Sequence, residues 1–306
     1  MVCRPFFYLI TIMWIFNLFW LAPIAYLDMD FNIFITRQIN GEDMEQNDSN
    51  LQDIALFIRV GIVILSMIVI LGLGMKYIPN AVTVTSTGRH RDIPIYSVEV
   101  EEKKLSLTFD VAWGNEDIDI LLDVLEKHQV KATFFITGEW IRKFPGDVKK
   151  IADAGHDLGN HGDNHQHMSD LSKQQCIDEI MKAHSQVKEL THTDMNLFRP
   201  PYGDYNNNVV GTARDCGYYT IQWDVDSMDW KDYGASNIVK RCIENENLNN
   251  GSIILLHSGT KYTAEALEEV ILGLQEQGYK LVPVSQLIHK GDYKVDHSGR
   301  QFKKSD

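Results

Sequence analysis

Short strand-like runs of apolar residues alternate with amphipathic segments of helical period over the C-terminal two thirds of the chain. Ser172 and Gln175 have the spacing of a capping box, and Gly155, Gly217 and Gly278 stand where helices are expected to end. About seven strands, each followed by a helix, predict an α/β fold with a parallel sheet. Since the chain has no nucleotide-binding fingerprint, we expect a distorted (β/α) barrel. The strand-like runs are KLSLTF, KATFFIT, HDLGN, NLFR, YYTIQW, SIILLH and KLVPV.

The N-terminal quarter has a different pattern, dominated by two apolar runs. The run over 5–27 carries no charge and is long enough to cross a hydrocarbon core, whereas the run over 60–75 is shorter and lies between Arg59 and Lys76. The barrel is therefore preceded by a membrane-anchoring hydrophobic region. We expect a membrane region over 1–76 with one or two transmembrane helices, a linker over 77–96, a catalytic domain over 97–290 and a flexible tail over 291–306.

The number of spans decides on which side of the membrane the catalytic domain lies. Two spans would leave it in the cytoplasm if Arg4 marks a cytoplasmic end, and one span would place it outside. A start at Met44 would leave a single anchor, a hypothesis that N-terminal sequencing of the mature protein tests.

Composition narrows the range of partners. The 306 residues are 44% hydrophobic, as in an ordinary globular protein, and carry a formal net charge of −13. Phosphate backbones are bound by clustered Lys and Arg, which this chain lacks, so we expect no nucleic-acid partner. The four cysteines are far apart and form neither a zinc-binding pattern nor a redox pair.

Ionisable residues follow five of the predicted strands. They are Asp110, His161, Arg199, the pair Asp224 and Asp226, and His257. The carboxyl ends of barrel strands share one face, where active sites are built, so these side chains predict one site. His161 and His165 are four residues apart, and on a helical turn both imidazoles could bind one metal ion. His167 lies off that face and is expected to be a surface residue.

Five motifs in this segment resemble the polysaccharide deacetylase family, also called carbohydrate esterase family 4. The similarity covers about 105–287, and its wording is similar to the branch associated with sporulation and cell-wall modification in Gram-positive bacteria. In chain order the motifs are TFDVAW (108–113), HGDNH (161–165), RPPYG (199–203), DSMDW (226–230) and LLH (255–257).

The resemblance implies a role for each matching residue. His161 and His165 would hold a divalent metal, Zn or alternatively Co, Ni or Mn. Asp110 would be the general base, kept ionised by Arg199, and His257 the general acid, oriented by Asp229. The remaining assignments concern the substrate: the backbone N–H of Tyr202 would bind the oxyanion, and Trp230 and Leu255 would line the pocket for the acetyl methyl group.

The first motif departs from the family pattern at Val111. Family members usually carry a second aspartate there as a metal ligand, which valine cannot replace. Glu116, Asp117 and Asp163 are candidate substitutes, although Glu116 and Asp117 also suit the first turn of a helix.

The expected function is metal-dependent removal of N-acetyl groups from a cell-wall polysaccharide containing N-acetylglucosamine, such as peptidoglycan. Two alternatives remain: a catalytically degenerate glycan-binding or structural protein of the cell envelope, and another metal-assisted amide or ester hydrolase. Because such glycans lie outside the membrane, the hydrolase prediction favours a single anchor and an extracytoplasmic catalytic domain.

Overall fold

The computed structural model describes residues 56–69 and 91–304. The chain divides into two compact units, Met1–Ser86 and Thr87–Asp306. In the first unit, residues 56–69 form a helix. None of the helices among the described residues has both the length and the apolar character needed to cross a bilayer. The apolar run 5–27 and the alternative start at Met44 lie outside the described residues, as does the second run beyond residue 69.

The second unit contains eleven strands within residues 91–304. These are β1 (Ser97–Val98), β2 (Lys104–Val111), β3 (Thr133–Ile136), β4 (Asp157–Asn160), β5 (Leu197–Phe198), β6 (Tyr219–Thr220), β7 (Val225–Asp226), β8 (Ile253–His257), β9 (Lys280–Leu281), β10 (Tyr293–Val295) and β11 (Arg300–Lys303). All seven predicted strand runs contain one of them.

Eight α-helices lie between these strands. They are α1 (Ile118–Lys127), α2 (Gly138–Lys143), α3 (Pro145–Asp153), α4 (Lys173–Thr191), α5 (Asn207–Asp215), α6 (Ala235–Ile243), α7 (Thr263–Glu276) and α8 (Val284–Leu287). The predicted capping box starts α4: Gln175 N–H donates to Ser172 Oγ, while the Gln175 side chain accepts from Ser172 N–H. Short 3-10 turns span Met168–Asp170, Pro201–Gly203 and Asp229–Lys231.

The main sheet is parallel and curled, with the strand order β6-β5-β4-β3-β2-β8-β7; β9 pairs with the start of β2. Within the described residues no pairing joins β6 to β7, so the predicted barrel is an open half-barrel. In the centre, Asp110 of β2 is in register with His257 of β8 and with Phe135 of β3. The carboxyl ends of β2 and β8 therefore lie side by side.

Successive side chains of β2 face opposite sides of the sheet, so its core residues are separated from the candidate catalytic residue Asp110. Leu105, Leu107, Phe109 and Val111 all belong to the larger hydrophobic core, which packs the sheet against the helices. Asp110 has the opposite parity and faces the other side of the sheet. A smaller core there includes Phe135, Leu197, Ile221 and Ile253.

The predicted flexible tail is ordered in the structure as far as residue 304. Strands β10 and β11 form an antiparallel hairpin, and β11 pairs with β1 in parallel. The Gln301 side chain is buried and bonds both the N–H and the carbonyl of His289, at 2.9 and 2.8 Å. Polar contacts and the packing of Tyr293 and Val295 against the smaller core hold the hairpin where the sequence was expected to be flexible, because three residues are too few for a periodic pattern to be detected. Part of the predicted linker is also packed, since Ile95 is buried and bridges to Ile221.

Candidate active site

Asp110 and Arg199 form a buried ion pair at the carboxyl ends of β2 and β5. Arg199 Nη1 donates to Asp110 Oδ1 at 2.7 Å, and Nη2 donates to the carbonyl of Gln222 at 3.0 Å. The guanidinium lies 4.2 Å from the centre of the Phe135 ring, so its position is fixed on several sides.

This pair sets the protonation of Asp110. Burial acts to raise the pKa of the carboxyl, but the charges of Arg199, His161 and His257 and the hydrogen bond from Arg199 outweigh it, so the pKa is lowered. Asp110 is therefore a carboxylate at neutral pH. Its second oxygen, Oδ2, lies 3.5 Å from His161 Nε2 and is directed towards the histidine pair.

His161 and His165 come together on a loop, not on a helical turn as the sequence analysis assumed. His161 directly follows β4, and the loop reaches His165 in the left-handed region, with φ 52°. The two ring centres lie 5.0 Å apart. A non-glycine residue with positive φ is uncommon, and such residues cluster at active sites and ligand-binding sites.

The tautomer of His161 is fixed by the backbone. Its Nδ1 lies 2.7 Å from the carbonyl of Arg199, which can only accept, so Nδ1 carries the proton and the Nε2 lone pair is free. Burial lowers the pKa of both imidazoles, that of His165 to about 4. Both histidines are thus neutral at pH 7, as metal ligands must be.

The donor set fits a divalent ion held by two imidazoles, with the remaining positions open. Among the described residues, no group of three or more His, Cys, Asp or Glu side chains has the arrangement of a metal site. Val111 is fully buried in the larger hydrophobic core and supplies no donor. The pair would bind metal more weakly than a three-ligand site.

None of the three candidate substitutes for the missing aspartate is shown beside the two histidines as a free carboxylate: two are hydrogen-bonded elsewhere, and the third lines a neighbouring cleft. Asp163 is buried and bonded to Arg142 and, at 3.1 Å, to Gln186 Nε2. The Asp117 carboxylate accepts the N–H of Gly259 at 2.9 Å. Glu116 lines a cleft beside Trp113.

His257 and Asp229 form the second buried pair. His257 Nδ1 lies 2.7 Å from Asp229 Oδ1, and the Asp229 carboxylate also accepts from His257 N–H and from Thr263 Oγ1, both at 2.7 Å. Burial acts to lower the pKa of His257, but the hydrogen bond and charge of Asp229 outweigh it and raise the pKa. The imidazole can therefore carry a proton to a substrate.

The three predicted substrate residues lie around this centre. Tyr202 adopts φ 60° in its 3-10 turn, and its ring centre lies 4.5 Å from that of His165. Leu255 is buried two residues before His257, and Trp230 is half-exposed next to Asp229. His167 is exposed, as predicted, and stacks on Tyr202, with ring centres 4.2 Å apart.

Asp224 does not join the site. Its carboxylate accepts from Ile253 N–H at 2.8 Å and Ser252 Oγ at 3.0 Å, at the amino end of β8. The prediction that it follows a strand into the site was wrong, because Asp224 precedes the two-residue strand β7. Asp226 ends β7 and lies close enough to His257 for their charges to interact.

Two residues near the site were missed by the sequence analysis. Glu179 on α4 is buried and accepts the N–H groups of Asp163 and Asn164 at 2.9 and 2.8 Å, so it holds the loop between the two histidines. A charged residue on the apolar face of α4 was the available signal. Trp113 lies beside both His165 and His257, with ring centres 5.5 and 6.1 Å away. Its position at the end of the first motif could have identified it as a site residue.

The family model for polysaccharide deacetylases matches residues 97–221, which include the histidine loop and Arg199. The chain is 32% identical over 208 residues to the peptidoglycan-N-acetylmuramic acid deacetylase PdaA of Bacillus subtilis, covering 65% of this chain and 77% of PdaA. The chain belongs to the polysaccharide deacetylase family. It is also 36% identical over 195 residues to the uncharacterized protein YlxY of Bacillus subtilis, and the match spans 64% of this chain and 60% of YlxY.

Among solved structures, a carbohydrate esterase family 4 pseudoenzyme from Bacillus anthracis is similar in sequence and fold. It is 36% identical with a TM-score of 0.62, covering 64% of this chain and 69% of that one. A mutant of that pseudoenzyme with restored enzymatic activity superposes equally well, with 37% identity and a TM-score of 0.62, over 64% of this chain and 71% of the mutant. Membership of this family supports deacetylase activity, and the family also contains proteins without it.

Proposed function

We propose that the protein removes N-acetyl groups from N-acetylglucosamine units of a cell-wall polysaccharide, most simply peptidoglycan, with a divalent metal held by His161 and His165. The observation that carries the proposal is that two buried ion pairs lie next to each other at the carboxyl end of the sheet. Asp110, paired with Arg199, and His257, paired with Asp229, lie in register on the neighbouring strands β2 and β8, beside the two neutral imidazoles. A bound divalent ion would polarise the acetamide carbonyl and lower the pKa of an attacking water.

Each step of the hydrolysis is then assigned to a group of the chain itself. Asp110 accepts a proton from water through Oδ2, since Oδ1 is held by Arg199. The water oxygen bonds to the acetamide carbon, and the backbone N–H of Tyr202 stabilises the oxyanion. His257, protonated beside Asp229, donates a proton to the nitrogen as the C–N bond breaks. The products are acetate and the sugar amine, while Trp230 and Leu255 hold the acetyl methyl group.

Acetate release with metal analysis tests this proposal. The 306-residue protein, supplied separately with Zn, Co, Ni or Mn, is incubated with N-acetylglucosamine oligomers and with peptidoglycan. We expect acetate release that His161→Ala and Asp110→Asn both abolish, together with up to one bound metal per chain that His161→Ala removes. Asp224→Asn is the matched control, because Asp224 bonds at the opposite end of the sheet. A folded protein that releases no acetate with any metal would contradict the proposal.

A second candidate is a glycan-binding protein of the cell envelope that has lost turnover. The burial of Val111 where the family has a metal ligand favours it, as does the similarity to the Bacillus anthracis pseudoenzyme. Glycan retention without metal and without acetate release would select this candidate over the hydrolase.

The proposal includes a location for the catalytic domain. We propose that the charge-free run over 5–27 anchors the protein in the membrane and that the domain lies outside the cytoplasm, where its glycan is found. A phosphatase reporter fused after Asp306 is expected to be active. Activity only of a reporter that works in the cytoplasm would contradict this location.

A further inference from the structure

Gln222 bonds both ends of the RPPYG motif, whose first and last residues are Arg199 and Gly203. Its backbone carbonyl accepts from Arg199 Nη2 at 3.0 Å, and its side-chain Nε2 donates to the carbonyl of Gly203 at 3.1 Å. Gln222 is itself buried. One residue therefore connects the guanidinium that pairs with Asp110 to the turn that contains Tyr202.

The turn around Tyr202 has a backbone conformation that needs support from its surroundings. Tyr202 and Gly203 both lie in the left-handed region, with φ 60° and 65°. Within the turn, the N–H groups of Gly203 and Asp204 donate to the carbonyls of Pro200 and Pro201, at 3.1 and 3.0 Å. A non-glycine residue persists in this region only where the surrounding structure determines its conformation. The hydrogen bond from outside the turn, donated by the side chain after β6, therefore helps to orient the Tyr202 N–H.

The face of the turn that meets Gln222 is closely packed. A Cβ on Gly203 would lie 3.0 Å from Cη2 of Trp223 and 3.4 Å from Oε1 of Gln222. Arg199 Cζ lies 5.4 Å from the centre of the Trp223 ring. Glycine at 203 thus allows residues 222 and 223 to cover the turn and the guanidinium together.

The backbone of Gln222 is fixed by the segment before β1. Its N–H donates to the carbonyl of Ile95 at 2.7 Å, and the N–H of Ile95 donates to the carbonyl of Thr220 at 2.9 Å. Ile95 and Ile221 are both buried and form a bridge. The side chain of Gln222 therefore projects from a rigid backbone and can support the turn.

Arg199 depends on few hydrogen-bond partners. Its buried Nε has none within the part of the chain that the structure describes. The acceptors of the guanidinium are Asp110 Oδ1 and the carbonyl of Gln222. A displacement of Gln222 would therefore move the group that keeps Asp110 ionised.

We propose that Gln222 is a positioning residue, which holds the Tyr202 N–H and the Arg199 guanidinium in one fixed arrangement. This inference rests on the proposed function, since it takes Tyr202 to stabilise the oxyanion and Asp110 to be the base. An oxyanion donor is effective when it is oriented in advance towards the charge that develops in the transition state. Loss of the Gln222 amide should therefore lower kcat more than it changes KM.

Gln222→Met tests this role, because methionine has a similar length and no donor. The 306-residue protein is supplied with Zn or Co, and kcat and KM are measured for acetate release from the N-acetylglucosamine tetramer. We expect kcat to fall about 10–100-fold, with KM within about threefold of wild type and metal content unchanged. Without substrate, backbone hydrogen exchange in the peptide 199–206, measured by mass spectrometry, should become about tenfold faster. Gln222→Asn, one methylene shorter, should show smaller changes in the same direction, and it replaces Gln222→Met if that variant does not fold.

Gln301→Met is the matched control, because Gln301 is also buried and its Nε2 also donates to a backbone carbonyl, that of His289, at 2.8 Å. It should lower the melting temperature and change neither kcat nor exchange in the peptide 199–206. Exchange in Gln222→Met no faster than in wild type would overturn the positioning role. An unchanged kcat in an active enzyme, or an equal loss of kcat in Gln301→Met, would overturn it as well.

The exchange measurement separates this inference from the proposed function. Faster exchange in Gln222→Met but not in Gln301→Met, in a protein that releases no acetate with any metal, would support the hold of Gln222 on the turn and overturn the proposed hydrolysis.

Discussion

His257 and Asp229 make two hydrogen bonds to one another, both at 2.7 Å: one joins Nδ1 to Oδ1, and the other joins the His257 backbone N–H to Oδ2. The carboxylate therefore fixes the ring orientation and the backbone at the same time. It also raises the pKa of the imidazole against the opposing effect of burial. A general acid must hold a proton at the working pH, so under the proposed mechanism this pair would set the alkaline limit of activity.

Asp229→Asn is expected to lower the rate of acetate release by about 100-fold or more and to move the alkaline limb of the pH profile to lower pH. The sign follows from the charge: without the carboxylate the pKa of His257 falls, so the acid is deprotonated at a lower pH. The measurement is kcat/KM against pH. Asp178→Asn is the control, because Asp178 is exposed on α4, where its carboxylate accepts from Gln174 Nε2. If Asp229→Asn keeps the wild-type alkaline limb, His257 is not the general acid.

Glu179→Gln tests whether α4 positions the loop that carries His161 and His165, where we propose a metal binds. The two carboxylate oxygens accept from Asp163 N–H, Asn164 N–H and Asn164 Nδ2. A glutamine amide offers one acceptor and turns a donor towards another donor. We expect a loss of about 1–3 kcal/mol in the free energy of unfolding and metal binding about 10–100-fold weaker.

Urea unfolding and metal titration measure the two effects of Glu179→Gln. Glu189→Gln makes the same change at an exposed position of α4 and should alter neither. Full metal affinity in Glu179→Gln would show that the histidine loop holds its shape without Glu179.

Asp224 should make stability depend on pH. Burial raises the pKa of its carboxyl to about 7 in the folded protein, against 3.8 ordinarily. The folded state therefore binds this proton more tightly than the unfolded state, and the stabilisation, complete below pH 4, is lost as the pH rises through 7. The free energy of unfolding, measured with urea, is plotted against pH for the wild type and for Asp224→Asn. The difference between the two curves should change by about 1–3 kcal/mol between pH 4 and 8, because the variant lacks this titration. Parallel curves from pH 4 to 8 would contradict the assignment.

The sequence predicted the strands and most of the site because both depend on local order. An apolar run followed by an ionisable residue fixes a strand and its carboxyl end, and parallel topology then brings Asp110, His161, Arg199 and His257 to one face. The same reasoning was wrong for Asp224, since a two-residue strand begins after it and periodicity cannot detect so short an element.

Other features depend on tertiary contacts that leave no local pattern. The role of Glu179 arises only once α4 packs against the histidine loop, and His165 reaches its position through a left-handed backbone that the i, i+4 spacing does not predict. The exposure of Trp113 is likewise a property of the folded loop. Contacts between distant segments therefore set the details of a site whose main residues local sequence already indicates.

Val111→Asp tests the missing ligand directly. Val111 is fully buried in the larger hydrophobic core, and its neighbour Asp110 faces the site. Without metal, a carboxylate at this position is a buried charge lacking a partner, and we expect it to lower the melting temperature. Since the family uses an aspartate here as a metal ligand, added Zn or Co should restore stability, by about 2.7 kcal/mol at a metal concentration 100 times the dissociation constant.

The measurement is thermal unfolding with and without metal, beside metal content and acetate release. Val111→Ala is the control for lost packing, and it should be destabilised by the same amount whether or not metal is present, because alanine adds no ligand. Acetate release by Val111→Asp above the wild-type rate would show that the third ligand limits activity. If metal neither restores the stability of Val111→Asp nor raises its acetate release, the carboxylate stays on the helix side of the sheet, and the two histidines alone determine how much metal the site holds.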